Sequence, residues 1–168
     1  ILDTTLHLTP NKMWFVNNSF RIANTGTLIL NPGTTLYLGR DVSNFGHIIG
    51  NGTADSNVTI KGTGLIRASD WSYQALGTVS FTHAKFEHWD NFMFMRTQTG
   101  SFNHCKFINR QTNNNFIDQC VNMSFSDCDF RDFATGLFFY DVTGNVTFTR
   151  CNFSNISTTI IKTNGGDN

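Results

Sequence analysis

The chain has 168 residues, with 12 acidic and 12 basic side chains and therefore no formal net charge. This length suits one domain with a sizeable core, and we expect a single domain over residues 1–168. Balanced charge provides no broad field for gathering nucleic acid or anionic lipid, so neither is expected as a partner. No apolar run approaches the roughly 20 residues of a membrane-spanning helix, and no membrane insertion is expected. The chain opens at Ile1 without a signal-like segment, which indicates a processed or excised piece.

The composition favours strands and turns. Asn, Thr, Ser and Gly are abundant, there are 17 Phe, and Glu87 is the only Glu. In the first half, Leu2–Leu8 alternates apolar and polar residues like a strand. Thr27–Leu38 is predicted to form two short strands broken by a Pro-Gly turn, and Val58–Ile60 and Gly64–Ile66 continue the pattern.

The second half contains a repeat with the pattern [ST]-F-x-x-[AC]-x-F. It occurs four times, at Ser80–Phe86, Ser101–Phe107, Ser124–Phe130 and Thr147–Phe153. The Ala/Cys position recurs after 21, 23 and 23 residues, a period typical of stacked solenoid coils. Each motif is followed by a second apolar run, at Phe92–Met95, Phe116–Ile117, Leu137–Tyr140 and Ile160–Ile161. We therefore predict an all-β fold, a single right-handed parallel β-helix of about seven coils.

Stacked coils place equivalent side chains above one another. Two aromatic ladders are predicted, one of Phe81, Phe102, Phe125 and Phe148 and one of Phe86, Phe107, Phe130 and Phe153. A corner ladder that favours left-handed backbone is predicted at His88, Asn109, Asp132 and Asn155.

Two sequence stretches resemble a known family. Gly26–Leu36 and Gly50–Thr53 resemble the opening of bacterial secreted β-helix repeat proteins. The F-x-x-C-x-F rungs resemble the repeats of the pectate-lyase-like β-helix superfamily. The resemblance implies the fold, but these motifs form coils and corners, so no catalytic residue is carried over.

The cysteines belong to the same repeat. Cys105, Cys128 and Cys151 share their position with Ala84, which predicts a small, inward-facing residue and a ladder of buried thiols. Disulfides between neighbouring rungs would require the rungs to distort. Cys120 lies outside the repeated position and has no assigned partner. No metal-ligand spacing is present in the sequence, and no cofactor or metal is expected.

Charged residues flank the Ala/Cys position in each repeat. Lys85, Lys106, Asp129 and Asn152 follow it, and His83, His104, Asp127 and Arg150 precede it, which predicts bases and carboxylates on one face. Polysaccharide lyases of this fold pair a calcium-binding acid cluster with a basic residue, and Lys106, Asp127, Asp129 and Arg131 are candidates for those roles. The favoured interpretation is a solvated face of stacked unlike charges. Calcium is expected only under the lyase alternative.

Three aromatic residues, Trp71, Tyr73 and Trp89, are candidates for carbohydrate contact, although capping of the core is the simpler interpretation. Seven N-glycosylation sequons begin at Asn17, Asn51, Asn57, Asn122, Asn145, Asn152 and Asn155.

The sequence favours a non-enzymatic structural or adhesive module of an extracellular or cell-surface assembly, such as a fibre subunit or a fragment of a larger protein. Its expected partners are further copies, flanking domains of the same chain, or a polysaccharide. The first alternative is a carbohydrate-binding or polysaccharide-cleaving β-helix, either a lyase or a glycoside hydrolase. The second is an ice-binding protein, for which Thr82, Asn103, Ser126 and Thr149 form a broken threonine array.

Overall fold

The computed structural model describes residues 1–67, 77–87, 94–95, 99–108, 115–133, 137–140, 142–156 and 161–164. This part of the chain contains no helix that is long and apolar enough to cross a membrane. Its strands are β1 (Thr5–Leu8), β2 (Met13–Val16), β3 (Phe20–Ile22), β4 (Thr27–Leu30), β5 (Thr35–Leu38), β6 (Val42–Asn44), β7 (His47–Asn51), β8 (Val58–Gly62), β9 (Ile66–Arg67), β10 (Thr78–Thr82), β11 (Ala84–Glu87), β12 (Phe94–Met95), β13 (Thr99–Asn103), β14 (Lys106–Ile108), β15 (Asn115–Asp118), β16 (Asn122–Ser126), β17 (Asp129–Arg131), β18 (Leu137–Tyr140), β19 (Val146–Thr149), β20 (Asn152–Ser154) and β21 (Ile161–Asn164).

The strands form three parallel sheets of seven strands each. The first sheet has the order β1-β4-β7-β10-β13-β16-β19, the second β2-β5-β8-β11-β14-β17-β20, and the third β3-β6-β9-β12-β15-β18-β21. Consecutive strands of the chain enter the three sheets in turn, so each coil contributes one strand to every sheet. This architecture is a parallel β-solenoid, and the predicted all-β parallel β-helix is confirmed.

Alternation along the strands builds the core. In β4 and β5 every second residue is buried, and these are Leu28, Leu30, Leu36 and Leu38. The parallel register places like residues in adjacent coils, for example Leu36 beside Ile60 and Val42 beside Ile66. Between the two strands, the predicted turn is present, with Gly33 in the left-handed region at a φ of 78°.

The repeated motif does not lie in one strand. Its first part, Ser80–Thr82, belongs to β10, and its second part, Ala84–Phe86, belongs to β11. His83 between them has a φ of 46°. The equivalent residues His104, Asp127 and Arg150 have φ values of 52°, 54° and 51°. The structure therefore differs from the sequence-based interpretation, because these four residues form a corner between two sheets and do not share a strand face with Lys85.

The two predicted phenylalanine ladders lie on either side of that corner. From Phe81 to Phe148 the successive ring centroids are 5.8, 4.9 and 5.0 Å apart, and from Phe86 to Phe153 they are 4.7, 4.8 and 5.0 Å apart. Rings within a ladder are stacked, with planes inclined by 11° or less. Such offset stacking adds to the stabilisation that burial of the rings provides.

A second corner follows the second sheet. Asp132 and Asn155 have φ values of 61° and 52°, and the Asn155 amide donates to the Asp132 carboxylate at 3.1 Å. These are two of the four residues predicted for the corner ladder. The other two, His88 and Asn109, lie outside the described residues.

Candidate functional site

The first coil forms an open end of the solenoid. Its strands β1, β2 and β3 pair with β4, β5 and β6 on one side, and each is the last strand of its sheet. The core positions of this coil are occupied by Leu6, Trp14 and Phe20, which align with the buried Leu28, Leu36 and Val42. The end therefore presents apolar side chains together with the edges of β1 and β2, whereas the edge of β3 is partly paired, because Leu2 forms a parallel bridge with Ile22.

The open end contains a cavity of about 420 Å³. Its apolar lining comes from both of the first two coils, and the segment Asn17–Ser19 adds polar groups. Leu6 is 37% exposed although its side chain occupies an inward position. A further coil that covered this end would bury such residues, just as the first coil covers the core residues of the second.

An exposed apolar pair lies beside this end, on the outer face of the second sheet. Met13 is 46% exposed and Phe15 is 58% exposed. The Phe15 ring lies 5.7 Å from the ring of Tyr37 in the next coil. The sequence analysis missed Trp14 and Phe15, although the apolar run Met13–Val16 within the first coil is the signal that marks them.

In the part of the chain that the structure describes, the first two sheets are also open at the other end of the solenoid. β19 and β20 are the last strands of those sheets. Phe148 and Phe153, the final rings of the two ladders, are partly exposed, whereas their neighbours Phe125 and Phe130 are buried. The two ends thus present strand edges and apolar side chains of similar arrangement.

The corner residues form an outward ladder with its own pairing. The rings of His83 and His104 stack with centroids 4.8 Å apart. The Arg150 guanidinium donates from Nε and Nη2 to the two carboxylate oxygens of Asp127, each at 2.7 Å. Hydrogen bonds from Arg150 lower the pKa of the Asp127 carboxyl below its ordinary value. Asp127 therefore forms a bidentate ion pair with Arg150.

The second sheet places the other lyase candidates on its outer face. Lys106 lies in register between Lys85 and Asp129. Asp129 is paired with Arg131 and also accepts a hydrogen bond from the Asn152 amide at 3.1 Å. Lys85 pairs with Glu87 at 2.5 Å. Most of the charges on this face are thus arranged as unlike neighbours, and Asp127 lies apart from them at the corner.

In the part of the chain that the structure describes, no three His, Cys, Asp or Glu side chains lie close enough together to hold one metal ion. The proposed carbohydrate contacts Trp71, Tyr73 and Trp89 lie outside the described residues. The seven sequon asparagines are all exposed.

The four cysteines are free thiols in the structure. The Cys105 thiol contacts the carbonyl oxygens of Phe81 and Asn103, and the Cys128 thiol makes the same contacts one coil further on, with Phe102 and Ser126. The neighbouring Cys105 thiol and burial raise the pKa of Cys128. Cys120 is buried near the carbonyl oxygens of Phe94 and Asp118. These contacts favour neutral thiols that fill space in the core.

The chain was also compared with known proteins. No protein-family model, no curated protein and no solved structure matches it.

Proposed function

We propose that this chain is a non-enzymatic structural or adhesive β-solenoid module, which is joined end to end to further β-solenoid coils in an extracellular or cell-surface assembly. The observation that carries the proposal is the open first coil, where the free edges of β1 and β2 and the partly paired edge of β3 surround a cavity of about 420 Å³ between apolar side chains. Exposed edges next to apolar surface are templates for strand addition.

The added coils are expected to share the cross-section of this chain. Every coil offers one strand to each of three sheets, so a further coil would extend all three sheets at the same spacing. The partly exposed Phe148 and Phe153 at the other end would meet the apolar residues of the first coil. Such head-to-tail contact is heterologous and extends into fibres when it does not close. Flanking coils of the same chain would use the same edges.

The outer charges support a structural role over a catalytic one. Asp127 is held by Arg150, and Asp129 by Arg131 and Asn152, so the carboxylates that a lyase would use for calcium are engaged with cations and an amide. The resemblance of Gly26–Leu36 and the F-x-x-C-x-F rungs to bacterial secreted, pectate-lyase-like β-helix proteins supports the extracellular location and that family as the proposed origin.

Sedimentation of the 168-residue chain tests the proposal. We expect association that increases with concentration, and we expect Leu6→Lys to abolish it because a lysine at this inward position of β1 cannot be buried against an added coil. Ile29→Lys is the matched control. Ile29 is an aliphatic residue on the outer face of the first sheet, one coil in from the open end and not among its inward positions, and its replacement should leave association unchanged.

A wild-type chain that stays monomeric at all concentrations would overturn the proposal. Equal loss of association in both variants would also count against it, because the open end would then have no special part in assembly.

A further inference from the structure

The outer faces of the first and second sheets differ in charge. In the second sheet, β8, β11, β14 and β17 place Lys61, Lys85, Glu87, Lys106, Asp129 and Arg131 at outer positions. In the first sheet, the outer positions of the seven described strands carry no Asp, Glu, Lys or Arg. The charged residues of the chain are thus unevenly distributed between two faces of the same solenoid.

The C-terminal half of the first sheet is the most uniform part. The outer positions of β10, β13, β16 and β19 carry only Ser, Thr and Asn, and we call this surface the neutral face. Its central row consists of Ser80, Ser101, Ser124 and Thr147, which are in register. Further rows flank it on both sides, beginning with Thr78 and Thr82. The sequence analysis weighed only the row that begins with Thr82 as a binding array, although the central row is the first position of the repeated motif.

The neutral face is regular in two directions. Strand spacing sets about 4.8 Å between rungs, and alternate residues along a strand lie about 6.6 Å apart. The side chains are short, so the surface has little relief. Hydroxyl and amide groups both donate and accept hydrogen bonds, which suits a partner that is itself rich in hydroxyl groups.

The neutral face contains a shallow cavity of about 110 Å³. Thr99, Asn122, Asn145 and Thr147 surround it, and Gly100 and Met123 contribute to its lining. Asn122 is fixed there, because its side-chain oxygen accepts a hydrogen bond from the Asn145 backbone amide at 3.0 Å. Polar groups around a partly apolar hollow are the features that orient a small ring in a binding site.

We infer that the neutral face binds the surface of an insoluble, uncharged polysaccharide, with a sugar ring seated in the cavity beside Asn122. The side chains of the face carry no charge, and at its edge the Ser126 hydroxyl contacts Arg150 and Asp127, which neutralise each other as an ion pair. The face therefore offers little to a polyanion, whereas its hydroxyl and amide groups complement neutral sugars. Its flatness suits a planar aggregate of chains, which contacts all three rows at once. Three of the four residues in the central row are serine, so the methyl groups of a threonine array for ice are missing there. The inference deepens the adhesive part of the proposed function and rests on it.

The test is a pull-down of the 168-residue chain with microcrystalline cellulose and with chitin, and soluble pectate serves as the charged comparator. We expect binding to at least one of the two neutral solids and none to pectate. Ser101→Glu should weaken binding at least about tenfold, equivalent to about 1.4 kcal/mol, because its carboxylate would be desolvated without a partner. Thr99→Leu fills the cavity without adding charge or an aromatic ring and should have the same effect.

Ser154→Glu is the matched control, because it makes the same substitution on the outer face of the second sheet, in register with Arg131. It should bind like the wild type, and thermal melting should show that all variants are folded. Failure of the wild type to bind either solid, or unchanged binding by both Ser101→Glu and Thr99→Leu, would overturn the inference. Binding to ice that Ser101→Glu abolishes, without binding to the solids, would also overturn it.

Failure of this inference is distinguishable from failure of end-to-end assembly. If the chain associates in sedimentation but binds no polysaccharide, the proposed ligand is wrong and end-to-end assembly still holds. If the chain binds polysaccharide but stays monomeric at all concentrations, the neutral face is still a ligand surface and end-to-end assembly is wrong.

Discussion

The rings of Phe81 and Phe86 meet edge to face, with centroids 5.0 Å apart and planes inclined at 79°. The two residues are close in sequence but belong to different sheets, because the chain turns at His83 through a left-handed conformation. The contact recurs between Phe125 and Phe130 at 5.4 Å. Each of these coils therefore adds two rings to one interlocked aromatic core.

The middle of this core should be the most sensitive to truncation. Phe125 is 1% exposed and lies between Phe102 and Phe148, so Phe125→Ala should lower the free energy of unfolding by about 3–5 kcal/mol through the cavity that it leaves. Phe148→Ala, at the partly exposed last rung, should lower the free energy of unfolding by less. Denaturant melts give both values, and a loss below about 1 kcal/mol for Phe125→Ala would mean that the ring contributes little to the core.

Gly50 marks the transition from the aliphatic to the aromatic part of the core. It is in register with Phe81, and a Cβ atom at Gly50 would lie 2.3 Å from Cδ1 of that ring. Gly50→Ala should therefore destabilise the fold by about 1–3 kcal/mol. Phe81→Leu gives a smaller side chain at the facing position. The double variant should therefore lose clearly less free energy of unfolding than the sum of the losses in the two single variants. Additive free energies in this double-mutant cycle would show that the ring is not the obstacle.

The ion pair between Asp127 and Arg150 should make stability depend on acid pH. The pKa of Asp127 is lowered in the folded state, so its stabilising contribution is present above the ordinary pKa of 3.8 and is lost as the pH falls through the folded value. Arg150→Gln should raise the pKa of Asp127 in a carboxyl NMR titration. It should also reduce the loss of folding stability at acid pH.

The control for this titration is Arg131→Gln, which removes the partner of Asp129 instead. It should leave the pKa of Asp127 largely unchanged. If Arg150→Gln also leaves it unchanged, the bidentate pair does not persist in solution.

The thiol ladder should react in order of exposure. Cys105 and Cys128 are 1% and 2% exposed, whereas Cys151 is partly exposed at the last rung. An alkylating reagent should modify Cys151 first and reach the other two only on unfolding, since burial keeps the reagent away from Cys105 and Cys128. Mass spectrometry after timed labelling measures this order. Cys105→Ala, which copies Ala84 of the preceding coil, should remain folded; rapid labelling of native Cys128 would contradict the packing described.

The sequence by itself determined the periodic part of this protein. Equal spacing of Phe102, Cys105 and Phe107 with their counterparts one coil later is sufficient to predict parallel coils, because stacked strands place equivalent residues in register. The same periodicity predicts which residues are buried. It carries no information on which rows lie side by side.

Only the tertiary structure decided those lateral relationships. The left-handed conformation of His104 divides one motif between two sheets, and the ion pair of Asp127 depends on the side chain that the next coil supplies. The neutral face likewise requires rows from several coils to be aligned. The exposure of Leu6 follows from its place in the first coil, because no further coil lies over it, whereas Leu8 and Ile22 of the same coil are already buried.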